Sequence, residues 1–480
     1  MSPDDARALF AYKLSKMYEQ ADPQYKKMIS VVRDVNEKYM KTHSDSITDT
    51  LDSPLSRQLR SENDDRVTQE RHGAIRVATP SELIEVTDFF KVLGMFPVNV
   101  YDLTSLKKDP LPIVGTAFRS ITKKGLIKAP FRMFTSLLQL DDERFFNKEL
   151  REKAKTYVKE RHIFGKNTRS LIEKHKNKGG LSKKDMNILI EESVESFRLT
   201  EQLSEELLKK FKYLHDESNI ISKEKLYSID EELYTELLKN GSDIAADIIC
   251  FKGTHINHLT PRTYDIDEVY NRLNQEFQMI EKIQGPKPLI NNETGENIVL
   301  QLRQTSYKAI PIPILFQTKE GKIKLGSHRN PFGEIEQRGI ALTEKGVLLL
   351  INNGIRAFPT THKEIALQQL GYYEYSLTDK GKQLDKKLLP SELDELIRQN
   401  YVQVHPITYE DFLAVSAAEI FKSNLSDNIN KIEKQQKCNN HVQKFIKIFE
   451  NNGIPIINSY TLYQTQQAQS TEKIYKLNIT

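Results

Sequence analysis

Apolar residues recur at helical spacing in two long stretches of the chain. The first 40 residues carry an apolar stripe among charged positions, which predicts an amphipathic N-terminal helix facing the core, with Leu9, Phe10, Tyr12, Leu14, Met17 and Tyr18 on the stripe. From 142 to 213 the same spacing returns, and Ser182 followed three residues later by Asp185 is typical of a helix start. We expect packing helices in both stretches.

Residues 251 to 345 follow a different pattern. A strand at 251 to 263 precedes a helix that starts at Asp265, with Glu268 three residues on, and ends before Gly285 and Pro286. Apolar segments after this helix predict successive strands in IVLQLRQ (298–304), KAIPIPILFQ (308–317), KIKLG (322–326) and FGEIEQRGIALT (332–343). The prolines at 311 and 313 favour an edge strand or a bulge. The order βαβββ predicts an α+β fold.

Composition and charge exclude several classes of protein. The 480 residues are 38% hydrophobic and 28% charged, which is typical of a globular protein that can bury a large core. A net charge of +4 gives no general argument for nucleic-acid binding. The segment GKNTRSLIEKHKNKGGLSKK (165–184) is rich in lysine, and we interpret it as a solvated loop in preference to a patch for polyanions.

Cysteine content and hydropathy predict a cytoplasmic protein. Cys250 and Cys438 are the only cysteines, which excludes a disulfide framework and suits a reducing compartment. The first residues do not resemble a secretory signal, and the longest apolar run, GVLLLI (346–351), is only strand length. We therefore expect no membrane partner, and the oligomeric state stays open.

Two segments carry histidines that could take part in chemistry. In RHGAIR, His72 and Arg76 would share one face of either a helix or a strand, so both side chains could reach one small ligand; a solvated surface is the alternative. In THINHLTPR, a strand would turn His255 and His258 to opposite faces, with Ile256 on the face of His258. A single strand histidine is more often a satisfied polar residue than a ligand.

A third segment, FGEIEQRG, carries two carboxylates. Glu334 and Glu336 fall on one face of a strand with Arg338, which could neutralise their repulsion. A surface strand with an ion pair and a metal-binding glutamate are the two alternatives. Two imidazoles and one carboxylate from these segments would form the ligand set of non-haem Fe(II) oxygenases, in which a nearby arginine would orient a substrate carboxylate. The spacing alone does not assign the three ligands.

Several blocks of the sequence resemble one enzyme family. RHGAIR, NHLTPRTYDID (257–267), FGEIEQRG and DFLAVSAAEIFKSNL (411–425) are similar to signature blocks of the 2-oxoadipate dioxygenase/decarboxylase family. GTAFRSI (115–121) and PFRMFTSLL (130–138) resemble its N-terminal blocks. The blocks occur in order through most of the chain, so this resemblance is more specific than a single motif.

The resemblance implies both a fold and a reaction. The fold would be α+β with a vicinal-oxygen-chelate-like βαβββ core and added helices. The reaction would be the Fe(II)-dependent conversion of 2-oxoadipate and O₂ to 2-hydroxyglutarate and CO₂ in lysine catabolism, without a separate 2-oxoglutarate cosubstrate. The alternatives are the same chemistry on another 2-oxo acid or with another divalent metal, and, far behind, a non-catalytic polyanion-binding protein.

The resemblance also implies roles for individual residues. His72, His258 and Glu334 would be the metal ligands, and Arg76 would bind a substrate carboxylate. Glu334 is preferred to Glu336 because EIEQR is similar to the ligand strand of 4-hydroxyphenylpyruvate dioxygenase. The backbone at Val415 and Ser416 would line the substrate pocket. Ala414 and Glu419 stand where the family pattern has proline and glycine, so the resemblance does not fix the pocket wall or the choice of substrate.

The predicted organisation is one elaborated catalytic domain, 1–480. Its N-terminal part, 1–141, would carry the first metal ligand, and a helical segment, 142–250, would follow. The βαβββ part, 251–345, would carry the second and third ligands, and 346–480 would line the substrate pocket.

Overall fold

The chain forms two compact units, each built from separate stretches of sequence. A computed structural model describes residues 1–42, 66–106, 110–198, 229–240, 243–251, 253–276, 282–307, 311–329, 332–383, 392–413 and 440–479. Unit 1 comprises Met1–Lys282, Thr305–Ile335 and Ala414–Ile456, and unit 2 comprises Ile283–Gln304, Glu336–Leu413 and Ile457–Thr480. The contiguous segments predicted from the sequence do not coincide with these units.

A mixed seven-stranded sheet positions the candidate site. Its strands are β1 (Arg71–Val77), β2 (Phe96–Asp102), β3 (Ile113–Arg119), β4 (Phe131–Leu138), β6 (Ile256–Pro261), β9 (Leu302–Ser306) and β12 (Phe332–Arg338). Their order in the sheet is β2-β3-β4-β1-β6-β12-β9. Strand β1 pairs in parallel with β4 and antiparallel with β6, and β6 pairs in parallel with β12. All seven residues of β1 are buried, so both of its faces lie within the protein.

A β-bulge in the pairing of β1 with β6 changes which side chains share a face. Ala74 pairs with His258, whereas the next residue, Ile75, pairs with Ile256. A Cβ added at Gly73 would lie 3.0 Å from Ile256 Cδ1, so Ile256 faces the side of the sheet opposite His258. The predicted shared face of Ile256 and His258 is therefore wrong, because a bulge inserts one residue and shifts the alternation of the strand.

Unit 1 also contains a three-stranded sheet in the order β11-β10-β5. Its strands are β5 (Ile229–Asp230), β10 (Pro311–Gln317) and β11 (Ile323–Arg329). Strand β5 pairs with β10 only at Phe316 and Gln317, so among the described residues the proline-containing part of β10 pairs on one side, with β11. This agrees with the predicted edge position of the prolines, but β10 and β11 are not in the same sheet as β6 and β12.

Helices cover much of unit 1. They are α1 (Pro3–Ala21), α2 (Pro23–Thr42), α3 (Arg66–Gln69), α4 (Pro80–Val92), α5 (Lys123–Lys128), α6 (Lys148–Val158), α7 (Lys166–Lys178), α8 (Lys183–Ser196), α9 (Glu231–Lys239), α10 (Asp243–Ile249), α11 (Ile266–Glu276) and α16 (His441–Glu450). The N-terminal region is two helices because Asp22 is extended and precedes a proline. The predicted starts at Ser182 and Asp265 are confirmed, since their side chains accept from the backbone N–H of Asp185 and Glu268.

The predicted loop at 165 to 184 is wrong over most of its length. Helix α7 occupies Lys166–Lys178, buries Leu171 and Ile172, and ends at Gly179 with φ of 69°. Within this region Lys174 pairs with Asp185 at 2.7 Å. The two buried apolar residues form the inner side of the helix, while its lysines lie on the solvated side. A high lysine content is common to solvated helical faces and to loops, so it does not distinguish the two.

Unit 2 packs short strands against helices. Its strands include β7 (Leu289–Ile290), β8 (Asn297–Ile298), β13 (Tyr373–Leu377) and β14 (Val402–Pro406), and its helices are α12 (Glu344–Asn353), α13 (His362–Leu367), α14 (Asp379–Gln383), α15 (Leu393–Arg398) and α17 (Ser459–Ile479). The run GVLLLI, the longest apolar run of the chain, lies in α12. No helix in the described part of the chain has the length and apolar character needed to span a membrane.

Candidate metal centre

Three potential metal ligands meet on one face of the large sheet. His72 lies on β1, His258 on β6 and Glu334 on β12, which are adjacent strands. Their ligand atoms all lie within 4.8 Å of one another. His72 Nε2 is 3.5 Å and His258 Nδ1 is 3.4 Å from Glu334 Oε2. All three residues are buried, with exposures of 1%, 3% and 4%.

This set fits a divalent metal in both chemistry and spacing. Two ligand atoms about 2.1 Å from a shared ion are separated by roughly 3.0 to 3.4 Å at octahedral or tetrahedral angles, close to the histidine–glutamate distances. Thr260 pairs with His72 across the strands, donates to Glu334 Oε2 at 3.2 Å and lies 3.0 Å from His258 Nδ1. The hydrogen bond from Thr260 orients the Glu334 carboxylate.

Arg76 lies on the same face of β1 as His72, as the sequence predicts for residues four apart. Its Nη1 donates to Asp247 Oδ2 at 2.6 Å, and both side chains are buried. Strand geometry puts the two Cα atoms about 13 Å apart. Arg76 therefore lies on the face of the sheet that carries the candidate metal ligands.

Asp247 is a buried partner of Arg76 that the sequence patterns do not single out. It lies on α10 and accepts hydrogen bonds from Arg76 and Asn257, while Nε2 of His255 and of His328 lie 3.0 and 3.1 Å from its other oxygen. Burial opposes its ionisation, but the charges and hydrogen bonds of His255, Arg76 and His328 hold the pKa of Asp247 well below its ordinary value. An acid within the apolar run IAADIIC was the available signal, since such a residue is buried only with partners.

The two glutamates of β12 have different partners. Glu334 lies with His72 and His258, whereas Glu336 accepts two hydrogen bonds from Arg338, at 2.7 and 2.8 Å. Both Glu336 and Arg338 have fully buried side chains, so the pair is not a surface ion pair. The predicted pocket residues Val415 and Ser416, like Ala414 and Glu419, lie outside the described residues.

A second buried charge cluster lies immediately beside the first ligand. Glu70 precedes β1 and accepts from Arg132 Nη1 at 2.5 Å and from Arg262 Nη1 at 2.9 Å. Arg132 pairs with His72 in the register of β4 and β1. The cluster therefore ties the start of β1 to β4 and to the end of β6.

Comparisons with known proteins show which family the chain belongs to. The family model described as 2-oxoadipate dioxygenase/decarboxylase matches residues 10–224 and 223–424. The chain is 34% identical to proteins of that name from Shigella flexneri, covering 98% of both chains, and from Pseudomonas putida, covering 89% of this chain and 88% of the relative. The structure is similar to the hydroxyglutarate synthase of Pseudomonas putida in complex with 2-oxoadipate, with a TM-score of 0.77, 29% identity and coverage of 100% and 99%. The chain therefore belongs to the 2-oxoadipate dioxygenase/decarboxylase family.

Proposed function

We propose that this protein is an Fe(II)-dependent dioxygenase that converts 2-oxoadipate and O₂ to 2-hydroxyglutarate and CO₂. The observation that supports this most directly is the grouping of His72, His258 and Glu334 on one sheet face. Two imidazoles and one carboxylate are the protein ligands of non-haem Fe(II) oxygenases. The names of the relatives, and the 2-oxoadipate bound to one of them, support the choice of substrate.

The proposed reaction needs no further reductant. The carboxylate next to the keto group leaves as CO₂ with its own two oxygen atoms. One oxygen atom of O₂ converts the keto carbon to a carboxylate and the other becomes the new hydroxyl group, so the hydrogen atoms of the substrate are all kept in the product. When bound, Fe(II) would supply the Lewis acidity and the redox chemistry that O₂ requires. His72, His258 and Glu334 would hold the ion, and their burial would keep bulk water from the reacting atoms.

Arg76 would bind and orient a carboxylate of the 2-oxo acid. A guanidinium is suited to this role because it donates charge-assisted hydrogen bonds in a fixed planar geometry. The backbone at Val415 and Ser416 would complete the pocket. We propose a cytoplasmic enzyme of lysine catabolism in which residues 1–480 form one catalytic domain, with a vicinal-oxygen-chelate-like sheet.

The test is O₂ uptake by protein purified anaerobically and loaded with Fe(II). We expect uptake with 2-oxoadipate but not with 2-oxoglutarate, together with an equal amount of a hydroxy acid one carbon shorter, identified by mass spectrometry. No uptake with 2-oxoadipate by protein that holds iron would refute the proposed activity.

Variants separate the metal ligands from the substrate residue. His72→Ala should lose iron, measured by elemental analysis, whereas His162→Ala, at an exposed histidine, should retain it. Arg76→Ala should retain iron but raise KM, because a charge-assisted hydrogen bond worth about 1.5 to 3 kcal/mol is lost. An iron-loaded Arg76→Ala protein with unchanged KM would show that the arginine assignment is wrong.

A further inference from the structure

Asp247 is the common acceptor of a buried polar cluster around Arg76. Arg76 Nη1 and Asn257 Nδ2 donate to Oδ2, at 2.6 and 3.1 Å. Nε2 of His255 and Nε2 of His328 lie 3.0 and 3.1 Å from Oδ1. Each carboxylate oxygen thus has two partners. These partners come from β1, from β11, and from β6 together with the residue preceding it.

The β-bulge described above contributes to this cluster. Because the bulge shifts the alternation of β6, residues on both sides of it approach the His72 face of the sheet. His258 contacts Glu334 there, while His255 and Asn257 contact Asp247. One short segment therefore supplies both a candidate metal ligand and two partners of the carboxylate that holds Arg76.

His328 is held in place by a further hydrogen bond. The Tyr234 hydroxyl lies 2.9 Å from His328 Nδ1. Burial raises the pKa of Tyr234, so the hydroxyl keeps its proton at neutral pH and can donate to Nδ1. His328 then presents an N–H at Nε2 to Asp247. The chain of contacts from Tyr234 through His328 fixes the orientation of the carboxylate.

The pairing of Arg76 with Asp247 is compatible with substrate binding. A guanidinium carries five N–H donors, so when Nη1 donates to one carboxylate, N–H groups on another edge of the guanidinium can donate to a second carboxylate. The pair has no net charge, which means that recognition by Arg76 would depend on the direction of its N–H groups. From this geometry we infer that Asp247 is a positioning residue that sets the orientation in which Arg76 meets the carboxylate of the 2-oxo acid, an inference that rests on the proposed function.

Orientation and charge predict opposite effects of Asp247→Asn. If Asp247 acted only through its charge, removing that charge would strengthen binding of an anionic substrate and lower KM. If Asp247 orients Arg76, asparagine replaces one acceptor oxygen with an N–H donor, the guanidinium turns and KM rises. The sign of the change in KM therefore separates the two roles.

The experiment compares Asp247→Asn with Asp142→Asn in the iron-loaded protein. Asp142 is a matched control because its buried carboxylate also pairs with an arginine, Arg144 at 2.6 Å, and with His441 at 3.3 Å. We expect Asp247→Asn to raise KM for 2-oxoadipate about tenfold or more while kcat changes by less than about threefold, and Asp142→Asn to leave KM unchanged. A lowered or unchanged KM in Asp247→Asn, or an equal rise in Asp142→Asn, would overturn the inference.

A crystal structure of Asp247→Asn provides a readout independent of turnover. The Arg76 guanidinium should leave its wild-type position, and an unmoved guanidinium would also overturn the inference. If wild-type protein consumed no O₂ with 2-oxoadipate, the proposed function would fail, yet the position of Arg76 would still decide the role of Asp247. Should Asp247→Asn not fold, Tyr234→Phe removes only the outermost hydroxyl; we expect KM to rise about threefold, and no change would overturn the inference.

Discussion

Neutralising Glu70 should destabilise the protein far more than neutralising a surface glutamate. Glu70 and Arg132 have fully buried side chains, and Arg262 is 9% exposed. Glu70→Gln keeps the shape of the side chain but leaves two buried guanidinium groups without the carboxylate between them. Removing one member of a buried ion pair costs about 3 to 5 kcal/mol. Two charge-assisted hydrogen bonds at about 1.5 to 3 kcal/mol each give about 3 to 6 kcal/mol, which overlaps this range.

The matched control is Glu232→Gln. Glu232 pairs with Lys319 at 3.2 Å, and their side chains are 54% and 76% exposed. Water screens such a pair, so its loss should cost no more than about 1 kcal/mol. Urea unfolding followed by far-ultraviolet circular dichroism gives the free energy of unfolding for each variant by linear extrapolation. A similar loss in both variants would show that the buried cluster does not stabilise β1 as argued.

Three further predictions concern the backbone, a thiol and a carboxylate. Gly333→Ala should lower iron affinity, since an added Cβ would lie 2.2 Å from the Tyr307 ring, so that the ring or β12, which carries Glu334, must shift. Gly165→Ala, where an added Cβ would meet nothing within 4 Å, should not lower it, and equal iron contents in the two variants would contradict this prediction. In a variant whose other cysteine is replaced by serine, Cys250 should resist a thiol reagent while the protein is folded, because burial raises the pKa of its thiol. Labelling of Cys250 before unfolding would contradict this prediction. The contribution of Asp247 to stability should be complete above its unfolded pKa of about 3.9 and decline as pH falls toward its lower folded pKa. The difference in unfolding free energy between wild type and Asp247→Asn should therefore shrink in acid. A difference that stays constant with pH would contradict this prediction.

The local geometry of the site was predictable from the sequence. Alternation along a strand predicts that His72 and Arg76 share a face, and that Glu334 and Glu336 share one, because the period of a strand is two. Motif resemblance then selected His258 among the histidines. The structure brings His72, His258 and Glu334 together, in agreement with that selection.

The remaining parts depend on contacts that sequence patterns do not encode. The bulge opposite Ile75 appears only when two strands pair, so alternation within β6 placed Ile256 on the wrong face. Asp247 meets Arg76 across a separation of 171 residues, and no short motif connects them. The division into two units likewise follows from long-range packing, which interleaves stretches that composition alone treats as continuous.

The order of strands in the large sheet also sets when the metal centre can form. His72, His258 and Glu334 are far apart in the chain but lie on adjacent strands β1, β6 and β12. During synthesis the first two ligands meet only after β6 has been made and has paired with β1, and the third must wait for β12. Closing such long loops carries an entropic cost before any metal can compensate for it. A nascent chain therefore cannot bring the three candidate ligands together until β12 has left the ribosome, and assembly of the candidate metal centre is a late event in folding.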